Sequence, residues 1–163
     1  MTLSSKKPCG SDASIESSKP TTRRLLVLDT DHFSEWESGS AAGVRLRGRL
    51  PFAESDLAVT VVTVEEQMRG WLAEIRRHHD LHRQIAPYAK LQRQVEAFAD
   101  WIILPWDADS ADLFVKLRRQ GLRIGSLDLK IACIALAHDA TVLTRNAKDF
   151  AQVPSLRIEN WLD

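Results

Sequence analysis

The sequence predicts an α/β domain: a three-layer α/β/α sandwich with a central parallel sheet. Short apolar runs alternate with stretches of helical periodicity from Arg24 to the C-terminus, and strands separated by helices imply right-handed crossovers that cover both faces of one sheet. The run Leu25-Leu26-Val27-Leu28 is continuously apolar, as a strand buried on both sides is. At 163 residues and 44% hydrophobic content the chain has room for one domain with a substantial core.

The elements follow in order. Arg24–Leu28 reads as the first strand, followed by helices near His32–Glu37 and Ala41–Leu50, the second ending before Pro51. The β-branched run Asp56–Val62 reads as a strand, and a long helix then starts at Thr63, with Val64, Met68, Trp71, Leu72 and Ile75 on one face. Helical periodicity resumes over Leu81–Asp100, bent or restarted at Pro87. Trp101–Leu104 is the third strand. Asp107 caps a helix that ends at Gly121, and another helix covers Leu127–His138. Ala140–Thr144 is a strand, Lys148–Phe150 a turn of helix and Leu156–Ile158 a last strand. Residues 1–22 mix Lys, Ser, Thr, Pro and Asp without an apolar core; they read as a mobile extension ahead of a domain over 23–163, neither signal peptide nor membrane span.

Charge and cysteines narrow the function. Twenty-two Lys plus Arg balance twenty-two Asp plus Glu, so no overall positive field draws in nucleic acid or a membrane. Any RNA binding must be local, in patches such as Arg45, Arg47 and Arg49, or Arg69, Arg76 and Arg77, or Arg118, Arg119 and Arg123. Cys9 and Cys133 form neither a disulfide framework nor a zinc spacing, which favours a reducing cytoplasm. The His78-His79-Asp80-Leu81-His82 run sits at a helix junction far in sequence from the other acids and reads as polar surface; the five tryptophans read as core or interface.

Ligands of such sheets bind outside the carboxyl ends of the strands. The junction residues there are Asp29 with Asp31, Thr63 to Glu66, Asp107 with Asp109, and Thr144-Arg145-Asn146. Asp29 ends a buried run, so its carboxylate must find hydrogen bonds, a cation or a proton; a helix N-cap and a site residue are both open readings. Glu66 completes a Thr63-x-x-Glu66 capping box, while Gly70 and Ala73 beyond it offer small side chains against which another segment can approach. Asp128 shares a helical face with Ile131, Ala132 and Ala135, which sets a charge at the head of an apolar stripe; the helix macrodipole alone would also favour an acid there.

In these residues the chain resembles the PIN-domain nucleases, and within them the VapC toxins of type II toxin–antitoxin pairs. The resemblance covers about residues 24–161 and rests on an ordered set. Leu-Leu-Val-Leu-Asp29-Thr30-Asp31 is similar to the opening strand and first acid, and Thr63-Val64-Glu65-Glu66-Gln67-Met68-Arg69-Gly70 to a Thr-x-x-Glu-x-x-x-Gly segment. Asp128-Leu129-Lys130-Ile131-Ala132 resembles the third acidic motif. Thr144-Arg145-Asn146-Ala147-Lys148-Asp149-Phe150, with Val153-Pro154 and Ile158-Glu159-Asn160-Trp161, resembles the closing segment. The resemblance implies a Mg²⁺-dependent endoribonuclease, with Mn²⁺ as a substitute, whose catalytic and metal-binding acids are Asp29, Glu66 and Asp128. The fourth acidic position of the family is Asn146 here, which keeps an oxygen without a charge and puts a second metal in doubt. Asp149 stands nearby in sequence. Asp31 marks a branch with Leu-Asp-Thr-Asp-His openings, similar to nucleases that cut initiator tRNA in its anticodon loop. Also implied are a cognate antitoxin that covers the site with a basic side chain, and a homodimer through the helices around Ala41–Leu50 and Val64–His78.

Elementary electrostatics agrees with the metal. Three carboxylates forced together raise one another's pKa unless a divalent cation sits among them. Thr30, Thr144, Arg69 and Arg145, next to the acids in sequence, are candidates for supporting or substrate contacts. Two other functions stay open on sequence alone. Asp29-Thr30-Asp31 resembles the opening of haloacid-dehalogenase phosphatases with Asp29 as nucleophile, although Phe33 stands where they have Thr or Val and no late Gly-Asp-x-x-x-Asp is found. The other is a non-catalytic binding module whose acids only cap helices.

Overall fold

The computed structural model describes residues 23–53 and 55–163; the extension read at residues 1–22 lies outside them. Five parallel strands form one sheet in the order β3-β2-β1-β4-β5. They are β1 (Arg24–Leu28), β2 (Ser55–Thr60), β3 (Ile102–Leu104), β4 (Thr141–Leu143) and β5 (Arg157–Glu159). Val27 of β1 stands level with Ala58 on one side and Val142 on the other, so the first strand is the centre of the sheet.

The helices are α1 (Thr30–Ser38), α2 (Ala41–Arg49), α3 (Val61–Arg76), α4 (Leu81–Phe98), α5 (Ala108–Arg119), α6 (Ser126–Ala137) and α7 (Ala147–Phe150), with a 3-10 turn over Leu50–Phe52. Successive β1 side chains face opposite layers. Leu26 and Leu28 pack with Phe33, Leu46, Phe98 and Leu162, while Val27 packs with the other core around Ile131, Ala132 and Ala135 of α6. Leu26, Val27 and Leu28 are all 0% exposed, which stabilises the centre by roughly 2 kcal/mol per side chain. Phe33 stacks on Phe98, and Trp36 and Trp101 pack edge-on around that pair, so these tryptophans are core.

Four local readings change. Val61 and Val62 open α3 and do not extend β2, because the extended Thr60 is the cap and its hydroxyl accepts the Thr63 N–H at 3.1 Å. β-branched propensity favoured a strand there; the cap hydrogen bond and burial of Val62 decided for helix. Leu72 is exposed, whereas Ile75 is buried and Val64 and Met68 pack against the core as read, and α3 also buries Val62 and Thr63. Helix α4 runs unbroken through Pro87, which removes one N–H from the ladder while the turns on either side hold. A side chain at Gly70 would meet nothing within 4 Å, so no described segment approaches it.

The close approach is made by Gly43. A Cβ there would lie 2.1 Å from the Glu35 carbonyl oxygen, so α1 and α2 touch backbone to backbone where only hydrogen fits. Backbone cannot give way as a flexible side chain does. Gly43→Ala is expected to destabilise the protein by about 1–3 kcal/mol, read as a lower urea midpoint at unchanged m-value, whereas Gly48→Ala, with open space around it, should cause no such loss.

Candidate active site

The parallel sheet opens all its strand ends toward one edge, and the ladder itself reaches the first site residue: the Asp29 N–H donates to the Leu143 carbonyl at 3.1 Å, and Thr144 N–H to Glu159 at 2.9 Å. Asp29 is 6% exposed and extended, and its Oδ1 accepts the His32 N–H at 2.9 Å as the N-cap of α1. The capping reading is therefore correct, but it engages only one carboxylate oxygen.

Glu66 is not the partner of a capping box. Thr63 lies inside α3 and is buried, Thr60 caps the helix, and the Glu66 carboxylate accepts a hydrogen bond from the Thr30 hydroxyl. That bond ties α3 to the first turn of α1 and directs Glu66 toward the Asp29 end of β1. From the other side comes α6, whose residues Leu129 and Ile131 to Ala135 are buried, with Asp128 in its first turn. Asn146 donates to Asp128 at 3.3 Å and to Asp149 at 3.0 Å, and its own N–H is held by the buried Thr144 hydroxyl at 2.9 Å.

Burial, together with the carboxylates of Glu66, Asp149 and Asp29, holds the Asp128 carboxyl above the usual aspartate range; the Asn146 amide opposes the shift. Three acids therefore act on Asp128 across this edge. Asp149 belongs among them as well as organising its turn. Among the described residues no three His, Cys, Asp or Glu side chains form a group that could hold a metal ion as they stand. The donor set nevertheless fits a hard divalent cation: it is all oxygen, partly buried and carries uncompensated negative charge.

Several expected neighbours stand elsewhere. Arg145 pairs with Glu35 at 3.3 Å and Asp163 at 3.6 Å, and Arg69 pairs with Glu65 on the exposed side of α3. Asp31 is exposed in the first turn of α1. Thr144 is 1% exposed and its hydroxyl is engaged by Asn146, so it positions Asn146 and is not open to substrate. Arg45 and Arg49, named above in a candidate RNA-binding patch, donate to the Leu162 and Asn160 carbonyls and fasten the C-terminal segment. Asp107 caps α5 through Ser110 and takes no part in the site. Asp80 caps α4, as a polar junction would.

One residue escaped the sequence reading. His32 is 0% exposed, with Nδ1 3.2 Å from Asp29 Oδ1 and Nε2 accepting the Trp161 N–H at 3.3 Å. Its signal was the Asp-x-x-His spacing in the opening turn of a helix, which brings both side chains to one face. Cys133, by contrast, is buried and its thiol is pushed up to about 11 by burial, which excludes thiolate chemistry.

A parallel sheet with Asp29 after β1, Glu66 of α3, Asp128 of α6 and Asp149 of α7 near one edge defines an α/β protein with its candidate site at the sheet edge. The chain belongs to the PIN domain family, whose model matches residues 26–156. That membership removes the haloacid-dehalogenase reading. Over 50 residues the chain is 46% identical to ribonuclease VapC2 of Rickettsia felis, a match spanning 31% of this chain and 37% of that protein. It is 26% identical over 121 residues to the tRNA(fMet)-specific endonuclease VapC of Salmonella typhimurium, covering 71% of this chain and 83% of that one. A toxin–antitoxin complex from Klebsiella pneumoniae contains a chain of the same fold, with TM-score 0.59, 25% identity, and coverage of 80% of this chain and 94% of that chain.

The Asp128 shift sets a pH dependence. Its raised value means that the folded chain keeps a proton which the unfolded chain releases near about pH 3.9, so this group makes stability fall as pH rises from there through the folded value. In EDTA at pH 7, Asp128→Asn is expected to melt above the wild type, and the difference should close as the pH is lowered toward about 4. Equal melting temperatures at both pH values would remove the carboxylate repulsion.

Proposed function

We propose that the protein is a Mg²⁺-dependent endoribonuclease, with Mn²⁺ as a substitute, and the toxin of a type II toxin–antitoxin pair. The observation that carries the reading is Asp128 at one sheet edge, held above its usual range by burial and by the nearby carboxylates of Glu66, Asp149 and Asp29. A divalent cation bound there supplies the charge that polarises a phosphodiester and makes water a better nucleophile. Asp29 and Asp128 are its ligands in this reading. Glu66, held by the Thr30 hydroxyl, binds the cation or orients the attacking water. Asn146 adds a neutral group between Asp128 and Asp149, so the site carries one negative charge fewer than an aspartate at position 146 would give.

The substrate we infer is tRNA, which the name of the Salmonella relative supports. The partner we infer is a cognate antitoxin that reaches the acids with a basic group, as the toxin–antitoxin nature of the Klebsiella complex suggests. A homodimer in the cytoplasm completes the reading. No helix among the described residues is long and apolar enough to cross a membrane.

The test is cleavage by antitoxin-free protein. Incubated with total tRNA and Mg²⁺, it is expected to give discrete fragments that vanish in EDTA and with Asp29→Asn, a change that keeps an oxygen for the N-cap while removing the charge. Equal cutting by the variant would take Asp29 out of the chemistry. In parallel, Mg²⁺ or Mn²⁺ should raise the melting temperature of the wild type and not that of Asp128→Asn; no rise in the wild type, with no cleavage, would leave a binding module whose acids only cap helices.

A further inference from the structure

We infer that His32 is a positioning residue: it fixes which oxygen of Asp29 faces the site and ties that choice to the C-terminal segment. The inference rests on the metal-site reading above. Asp29 Oδ1 takes both the His32 N–H, at 2.9 Å, and the imidazole Nδ1, at 3.2 Å. Both contacts fall on the same oxygen, which leaves Oδ2 for the acid edge. The remaining ring nitrogen, Nε2, is 3.3 Å from the Trp161 N–H and can only accept from it. Nε2 is thus unprotonated, and the hydrogen-bond network assigns the ring proton to Nδ1, donated to Asp29.

The far end of this chain of bonds is itself held. Trp161 and Leu162 are buried against the α1, α2 and β4 core, Arg45 donates to the Leu162 carbonyl at 2.7 Å, and the Trp161 indole donates to Glu159 of β5 at 2.8 Å. The two groups bonded to the ring are Asp29, from the end of β1, and Trp161, from the C-terminal segment. A fully buried imidazole locked at both nitrogens holds the carboxylate in one rotamer, as groups behind a metal ligand do.

Three measurements test it. First, ¹⁵N-resolved NMR of the imidazole of the metal-free protein is expected to show His32 protonated at Nδ1 and bare at Nε2; the opposite tautomer overturns the assignment. Second, Mn²⁺ affinity is read by EPR titration of free Mn²⁺. His32→Leu, which removes both bonds, is expected to weaken binding about 10-fold or more. Third, His32→Asn, whose amide nitrogen occupies the Nδ1 position, should stay within about 3-fold of wild type, whereas His32→Gln, which presents its amide at the Nε2 position, should fall with His32→Leu. Should His32→Leu fail to fold, the Asn and Gln pair decides alone. Wild-type Mn²⁺ binding with all variants equal overturns the role of His32 and leaves the proposed nuclease standing; a wild type that binds no Mn²⁺ overturns both.

Discussion

Everything in this molecule depends on the burial of β1 between two parallel neighbours. Over Leu26–Leu28, where β1 is fully buried between its neighbours, an unpaired charge would be costly, so the first carboxylate comes where that stretch stops, at Asp29. Because every strand is parallel, the segments that leave β2 and β4 emerge at the same edge and bring α3 and the Asn146 turn to it. Helix α6 completes the edge from within the core, with a nearly all-apolar body that leaves Asp128 as the charge at its head.

The site is held by bonds that are spent on orientation. Thr30 fixes Glu66, Thr144 fixes Asn146, and Asn146 bridges Asp128 to Asp149. His32 does the same for Asp29 and connects it to the C-terminal residues. None of these partners neutralises the acids. Burial first, and then the carboxylates of Glu66, Asp149 and Asp29, hold the Asp128 carboxyl above its ordinary range.

The arginines behave differently from what their spacing suggested. Arg45 and Arg49 bond backbone carbonyls of the C-terminal segment, Arg118 bonds the carbonyls of Leu122 and Ile124, and Arg145 spans Glu35 and Asp163. A guanidinium fork serves such multiple contacts well, and it tethers loops that carry few apolar side chains of their own. The protein's zero net charge fits this use of its cations as internal fasteners as much as surface charge.

The sequence by itself determined the fold class and the order of the strands and helices, because a period of two or 3.6 is a local property of a chain; the acids Asp29, Glu66 and Asp128 were singled out by the resemblance of their motifs to the PIN family. Helix ends at Asp107 and Gly121 were equally legible, since caps and left-handed glycines act within a few residues. The tertiary structure alone decided what those acids face. The valine pair after Thr60 became helix once Thr60 capped it and Val62 found a core; Glu66 turned from a capping partner to the acid bonded by Thr30, 36 residues away in sequence. The link from Asp29 through His32 to Trp161 spans 129 residues between its last two members. No local pattern encodes such a contact, because it exists only when β1, α1 and the C-terminal segment are packed together.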